Sequence, residues 1–453
     1  MFYKVSKSVN LISGPIDSSL RKFALPLALS FLIQNLYTWV DMYYVSRLSP
    51  TAIAALKVCE QLIFFLFSIA SGFAIGSGVV VARRIGEGEK SKANHTATQS
   101  LLLMLFISVI LATVFYFFSP LILTLMNIKG EVLILSIQYL SMIVFGIPAN
   151  FLIFHINAIV RASGNSVFPM TILITANVLN AIIAPFLIFG LGPFPRMEIY
   201  GAGLAAAIAQ NLGFLIALIF ILKKFAPIEL ELKSLKIDSI IFKKIFKIGV
   251  PATLQLIAVS VNRIILTSIA NMFGVTVLTT YMFGLGVDLF VFMSIFAVGA
   301  AIEIITGQNL GANKIDRIFK YHLSSIKQLS VLLVLLIILV FLAGEYFTSI
   351  FISDPVLIKE IVIYLRIAVF SYIPFAVGIV SLRVISGSGD YNRSLRIVLF
   401  IFFGVQLPVC YLLSNYTSLS YQGIWYGILV SQLVFAFVSL RILYKKKWIT
   451  TKV

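Results

Sequence analysis

Apolar side chains along this chain fall into long unbroken runs, and the polar positions gather in short turns between them. A run must reach ~20 residues to cross the hydrocarbon of a bilayer as a helix. Measured against that length, the pattern predicts about twelve transmembrane helices, near residues 23–46, 52–81, 96–118, 132–160, 168–190, 200–222, 246–272, 277–308, 328–350, 357–385, 395–413 and 421–443. Several exceed the minimum, which implies tilt or kinks. The first run carries one acid, Asp41, among aromatic and aliphatic neighbours. An ionisable group inside a span costs ~2.5–3.5 kcal/mol on insertion scales, so it either faces a partner or water and marks an ion or substrate pathway, or, with Tyr43, Tyr44 and Arg47 following within two turns, reaches the interface at the span's end.

Composition agrees with the pattern. With 60% hydrophobic and 11% charged residues among 453, the chain has too little polar surface to coat a soluble globule, and it reads as an all-α integral membrane protein. A net charge of +18 would suggest nucleic acid in a soluble protein, so its placement decides what it means. With the N-terminus inside, about 28 of the 35 Lys and Arg fall on the cytoplasmic side and about six outside. The charge is therefore topological, both termini are cytoplasmic, and nucleic acid is excluded as a partner. The first span is too long for a cleaved signal sequence and stays in the mature protein.

Chemistry-bearing residues are sparse. Cys59 and Cys410 sit in apolar runs, and His95, His155 and His322 are dispersed, so neither a disulfide framework nor a metal site is expected. The segments GEGE and GQNLG lack the lysine and spacing of a P-loop, which argues against ATP as the energy source and leaves no cofactor. No cluster of nucleophile, acid and base appears, so a membrane-embedded lipid-modifying enzyme is disfavoured.

The one long polar interruption, Lys223 to Lys247, separates halves that match. An offset of 225 carries Pro26 to Pro251, Gly86 to Gly311 and Gly164 to Gly389, and an offset of 222 carries Gly201 to Gly423 and Gln210 to Gln432. The chain therefore reads as a six-helix lobe over 1–222, a basic cytoplasmic linker over 223–245 and a second six-helix lobe over 246–453. An even number of crossings gives both bundles one orientation, related by a pseudo-two-fold axis along the membrane normal.

The stretches LPLALSFLIQNLYTWVDMYYVSRLSPTAIAAL, GSGVVVARRIGEGE, VRASGN, YGAGLAAAIAQN, IGVPATLQ and TGQNLGANK, in this order, resemble the multidrug and toxic compound extrusion (MATE) transporters, most closely their DinF-like prokaryotic branch. The resemblance covers essentially the whole chain. It implies alternating access in a bacterial or archaeal plasma (inner) membrane, by a monomer exporting an organic, cationic or amphipathic small molecule against entry of protons or sodium. A related flippase of lipid-linked oligosaccharides would line its cavity with several basic residues, whereas Arg263 is the one clearly central cation here.

The same resemblance assigns a cation site to the first-span acid, Asp41, a fifth-span Asn, Asn180, and an acid one turn later, where this chain has Ala184. Tyr139 and Asn157 resemble polar positions around that site. With one carboxylate missing, Asp41 suits the carrying of one proton better than the caging of sodium. Asn177 lies three residues from Asn180 on one helical face, where its amide can orient the carboxylate or hold neighbouring helices together. In the second half, Asp288 and Glu303 lie in the eighth span, fifteen residues or about 22 Å apart, too far for one site. Each reads either as an ion-pair partner of Arg263 or as part of a second cation or substrate site. Gln34, Asn35, Gln255 and Met293 are candidates to face a substrate cavity. Position 41 maps onto Leu266, so the halves match in scaffold and differ in charge.

Overall fold

The computed structural model describes residues 8–231 and 236–451, less the side chains of residues 35–37. Among them are fourteen α-helices, one seven-residue π-helix and no strand. The first repeat contains α1 (Ile16–Ser46), α2 (Pro50–Gly86), α3 (Lys90–Leu125), α4 (Gly130–Ile143), α5 (Ile147–Ala162), α6 (Val167–Phe189) and α7 (Glu198–Leu222). The second contains α8 (Ser239–Asn271), α9 (Val275–Gly311), α10 (Ile315–Phe351), α11 (Pro355–Gly387), α12 (Tyr391–Leu399), the π-helix Phe400–Gln406, α13 (Leu407–Tyr416) and α14 (Gln422–Tyr444). Eleven helical runs are long and apolar enough to span a membrane, and the bent pair α4–α5 makes the twelfth.

Two spans depart from the continuous helices expected over 132–160 and 395–413. The fourth span bends by 57° between α4 and α5, where Gly146 and Pro148 weaken the hydrogen-bond ladder. The eleventh opens into the π-helix, which inserts backbone without ending the span.

The repeat is written in the helix stops. The 225 offset carries Pro50–Gly86 onto Val275–Gly311, and 130–162 onto 355–387. It also carries the left-handed residue Gly88 (φ 78°) onto Asn313 (φ 57°), and Gly164 (φ 87°) onto Gly389 (φ 95°). Glycine and asparagine enter this region at low steric cost, so they end a helix and turn the chain at equal depth in both halves. Starts are equally local. Ser49 and Asp354 precede prolines and accept from the amides of Ala52 and Val356, at 3.0 and 2.9 Å.

By contacts, the described chain divides into two units that are not its two halves. One holds residues 8–10 and Leu25–Thr253; the other holds Leu11–Ala24 and Leu254–Val453. The changeover falls inside α1, beside Pro26, and inside α8, just past Pro251. The first unit packs Val45, Phe73, Met104, Phe115, Phe151 and Leu187 together with Ile241 and Ile245 of α8. Gly72 and Gly76 let α2 approach the α8 backbone: a Cβ on Gly72 would lie 2.6 Å from the Gly249 carbonyl, and one on Gly76 2.8 Å from that of Ile245. In the second unit α11 packs against α9, α10 and α14.

Each unit also holds the segment that leads into a repeat's first helix. In the first unit, α3 reads the linker backbone. Asn94 and Thr98 accept from the amides of Glu229 and Glu231 at 3.1 and 2.9 Å. Gln99 accepts from the amide of Asp238 at 3.0 Å and donates to the Lys236 carbonyl at 2.7 Å. In the second, Asn309 and Arg317 donate to the carbonyls of Leu11 and Gly14 at 3.1 and 2.6 Å, and the Ser324 hydroxyl donates to Asp17 at 2.5 Å. Ser324 is the repeat counterpart of Gln99.

Candidate functional site

In the first unit, α1 and α6 bring the two leading candidates together. The Asn180 amide donates to Asp41 Oδ1 at 2.6 Å. Asp41 is half-buried and Asn180 buried. Tyr44, one turn past Asp41, donates its hydroxyl to the Ala181 carbonyl at 3.1 Å, tying the same two helices. Ala184, the position to which the resemblance assigns a second acid, is buried. Among the described side chains an acid thus meets a neutral amide donor, a pair in which the carboxylate can hold its negative charge or take up a proton.

The other first-unit candidates divide by distance from this pair. Tyr139 is buried on α4 within electrostatic reach of Asp41. Asn177 turns to the Ile33 carbonyl at 3.2 Å and braces α1. Asn157 is buried on α5, and neither of its amide atoms has a hydrogen-bond partner among the described residues, so water is its natural partner. Gln34 is exposed, and the side chain of Asn35 lies outside the described residues.

The second unit repeats the scaffold without the charge. Asn262 of α8 donates to Gln406 of the π-helix at 2.8 Å, an amide pair joining the counterparts of α1 and α6. Gln255 is buried and Met293 half-buried. Leu266, in the place of Asp41, is buried.

The expected partner of the second-half acids is not Arg263, which is exposed and forms no ion pair among the described residues. Glu303 instead pairs with Arg383 Nη1 of α11 at 2.9 Å and accepts a hydrogen bond from Tyr391. A Cβ on Gly387 would run into the Glu303 backbone, so this glycine is what lets α11 come close enough for the pair. Asp288 has no ion pair among the described residues. Its two carboxylate oxygens accept from the hydroxyls of Tyr372 and Tyr364, at 2.7 and 2.6 Å, in the range of charge-assisted bonds. Glu303 and Asp288 are thus two separate sites.

Sequence reasoning missed Tyr364, Tyr372, Arg383, Tyr391, Asn262 and Gln406. The eight-residue spacing of Tyr364 and Tyr372, about two turns on one face, was the available signal. Two of the three histidines are helix ties: His155 bonds Ser100 at 2.9 Å, and His322 is buried and bonds Ser381 at 2.8 Å, while His95 faces Asp238 at 3.4 Å.

A model of the MatE family matches residues 26–186 and 251–412, one match in each repeat. The chain is 28% identical over 439 residues to the probable multidrug resistance protein YoeA of Bacillus subtilis, covering 95% of each. It is 23% identical to the multidrug export protein MepA of Staphylococcus aureus, covering 95% of this chain and 94% of that one. Among solved structures, a transporter of the MOP superfamily from Pyrococcus furiosus superposes with a TM-score of 0.90 at 22% identity, over 99% of this chain and 100% of that one. A multidrug resistance MATE transporter in an outward-facing conformation gives 0.89 at 22%, over 99% and 100%. With both repeats matched and the fold shared from end to end, the chain belongs to the multidrug and toxic compound extrusion family, membrane transporters and not enzymes.

Proposed function

We propose that this protein is a secondary active antiporter that exports organic, cationic or amphipathic compounds in exchange for protons, with Asp41 as the coupling acid and Asn180 as its positioning residue. The observation that carries this reading is the hydrogen bond from Asn180 to Asp41, 2.6 Å, beside Ala184. One carboxylate with a neutral donor can load one proton and pass it on, whereas sodium is better served by several oxygen ligands and the missing second acid. The names of YoeA, a probable multidrug resistance protein, and MepA, a multidrug export protein, support export of organic compounds. The excess of Lys and Arg in alternate connections supports cytoplasmic termini in a bacterial or archaeal inner membrane. No resident cofactor enters this scheme.

The test is uptake of a fluorescent organic cation into everted vesicles under separately imposed proton and sodium gradients. Uptake driven by the proton gradient alone and lost in Asp41→Asn is expected. Uptake that follows the sodium gradient, or persists in Asp41→Asn, overturns the assignment.

A further inference from the structure

The second unit contains a buried acid that this scheme does not use. On α9, Thr280, Gly284 and Asp288 recur every fourth residue and share one face. Gly284 leaves room for the ring of Tyr364, which a Cβ there would strike. Tyr364 therefore lies across α9 and reaches Asp288 one turn further on. Its ring meets Trp425 of α14 edge-on at 4.8 Å, and Trp425 stacks on Tyr281 at 5.8 Å. Tyr372 closes the other side, with its ring against Phe292 at 6.1 Å. The result is an aromatic cage around one carboxylate.

Two features argue that the cage does more than pack. Asp288 is buried and forms no ion pair among the described residues, an arrangement whose cost inside a membrane span is retained at ion and proton pathways. In addition, Trp425 Nε1 and the Thr280 hydroxyl are buried and have no hydrogen-bond partner among the described residues. Orphaned polar atoms of this kind are usually completed by water. The two groups that touch the acid are donors, the phenols of Tyr364 and Tyr372, and beyond the Tyr364 ring lies Trp425 with a further N–H. Donors stabilise a carboxylate and relay protons, but they offer a metal ion few lone pairs. The charged and titratable groups around Asp288 are Tyr281 on its own helix, Tyr364 and Tyr372 on α11, and Arg263 on α8. Cys410 of α13 stands near Tyr281. Arg366 of α11 is exposed and lies over Phe341, 5.8 Å from its ring centroid.

We propose that Asp288 is a second proton-carrying site, housed in the second unit, with Tyr364 and Tyr372 as its positioning residues. The carboxylate takes a proton from hydronium, leaving water, and later gives it back to water, regenerating hydronium. Each phenol turns its O–H toward the carboxylate when the acid is charged, and away when it is neutral. The part of this inference that concerns coupling rests on the antiport reading; the protonation of Asp288 does not.

Two measurements on the full-length protein in liposomes keep these apart. Infrared difference spectra across pH should show a carbonyl band of a protonated carboxyl that is lost in Asp288→Asn, retained in Asp41→Asn, and shifted in midpoint by Tyr364→Phe and by Tyr372→Phe. A spectrum unchanged in Asp288→Asn, or a band unmoved by either phenylalanine, makes the cage structural and overturns the proposal. Protons moved per substrate exported should fall in Asp288→Asn relative to wild type. An unchanged ratio overturns the coupling role alone. Absence of proton movement in the wild type overturns the antiport reading and leaves the infrared result to decide Asp288. Should Asp288→Asn fail to fold, the two tyrosine variants carry the spectral test.

Discussion

Asn180 holds Asp41 from across two helices at 2.6 Å, and one turn beyond it the chain offers a methyl group, Ala184. A hydrogen bond to a charged group contributes about 1.5–3 kcal/mol. Asn180→Ala should therefore cut transport about tenfold or more at unchanged protein yield, with Asp41→Asn falling to background, both read from drug efflux. Asn180→Asp, which keeps the side chain's shape and adds a charge, should alter the pH profile of efflux and not merely its rate.

Restoring the missing acid tests the same geometry from the other side. Ala184→Asp places a second carboxylate one turn from Asn180, where two like charges oppose double ionisation. Proton-driven uptake in vesicles should then depend on pH in two steps in place of one.

The Glu303–Arg383 pair should behave as structure. Removing one partner of a buried pair costs about 3–5 kcal/mol because the other charge is left behind. Glu303→Gln should lower the melting temperature in detergent, and adding Arg383→Gln should recover much of that loss. Efflux per folded molecule should stay near wild type in both.

The linker clasp gives a cytoplasmic test. Gln99→Ala removes two hydrogen bonds, together about 1–3 kcal/mol, so trypsin should cut near Lys236 roughly tenfold faster in everted vesicles and leave intact cells untouched. Lys224 and Lys90 hold the Glu229 carboxyl below its ordinary range through hydrogen bonds and charge. A lowered acid contributes stability above its unfolded value, about 4.3, which is lost as pH falls through the folded one. Protease sensitivity of the linker should thus stay flat from neutral pH down to ordinary carboxylate titration and rise only below it.

Close packing at Gly72 can be tested directly. Its added Cβ would press on the backbone of Gly249 and Thr253, so Gly72→Ala should cost about 1–3 kcal/mol and reduce folded yield.

Much of the fold was legible because hydropathy over twenty residues and a fixed offset are additive signals. Pro26/Pro251, Gly86/Gly311 and Gly164/Gly389 each repeat a backbone event whose cause is local. The bend after Ile143 carried a signal in Gly146 and Pro148, but hydropathy runs straight through it. The pair Asp41–Asn180 was reached through resemblance. Partners of Asp288 and Glu303 were not reached, because they depend on which helices adjoin α9. Arg263 is nearer in sequence, yet α11 is the neighbour, and it supplies Tyr364, Tyr372 and Arg383. The π-helix carried a cue in Gly404 and Pro408, but hydropathy runs through it, and its product, Gln406 against Asn262, is visible only in three dimensions.

The changeover of units inside α1 and α8 bears on how such a doubled gene can evolve. A break between the repeats would leave Ser239–Thr253, which packs in the first unit, on the second product, and Leu11–Ala24, which packs in the second, on the first. Neither product would own a complete interior. The duplication is thereby locked: each copy has lent the other the start of its own first helix, and the two can drift in charge, as Asp41 and Leu266 have, without regaining independence.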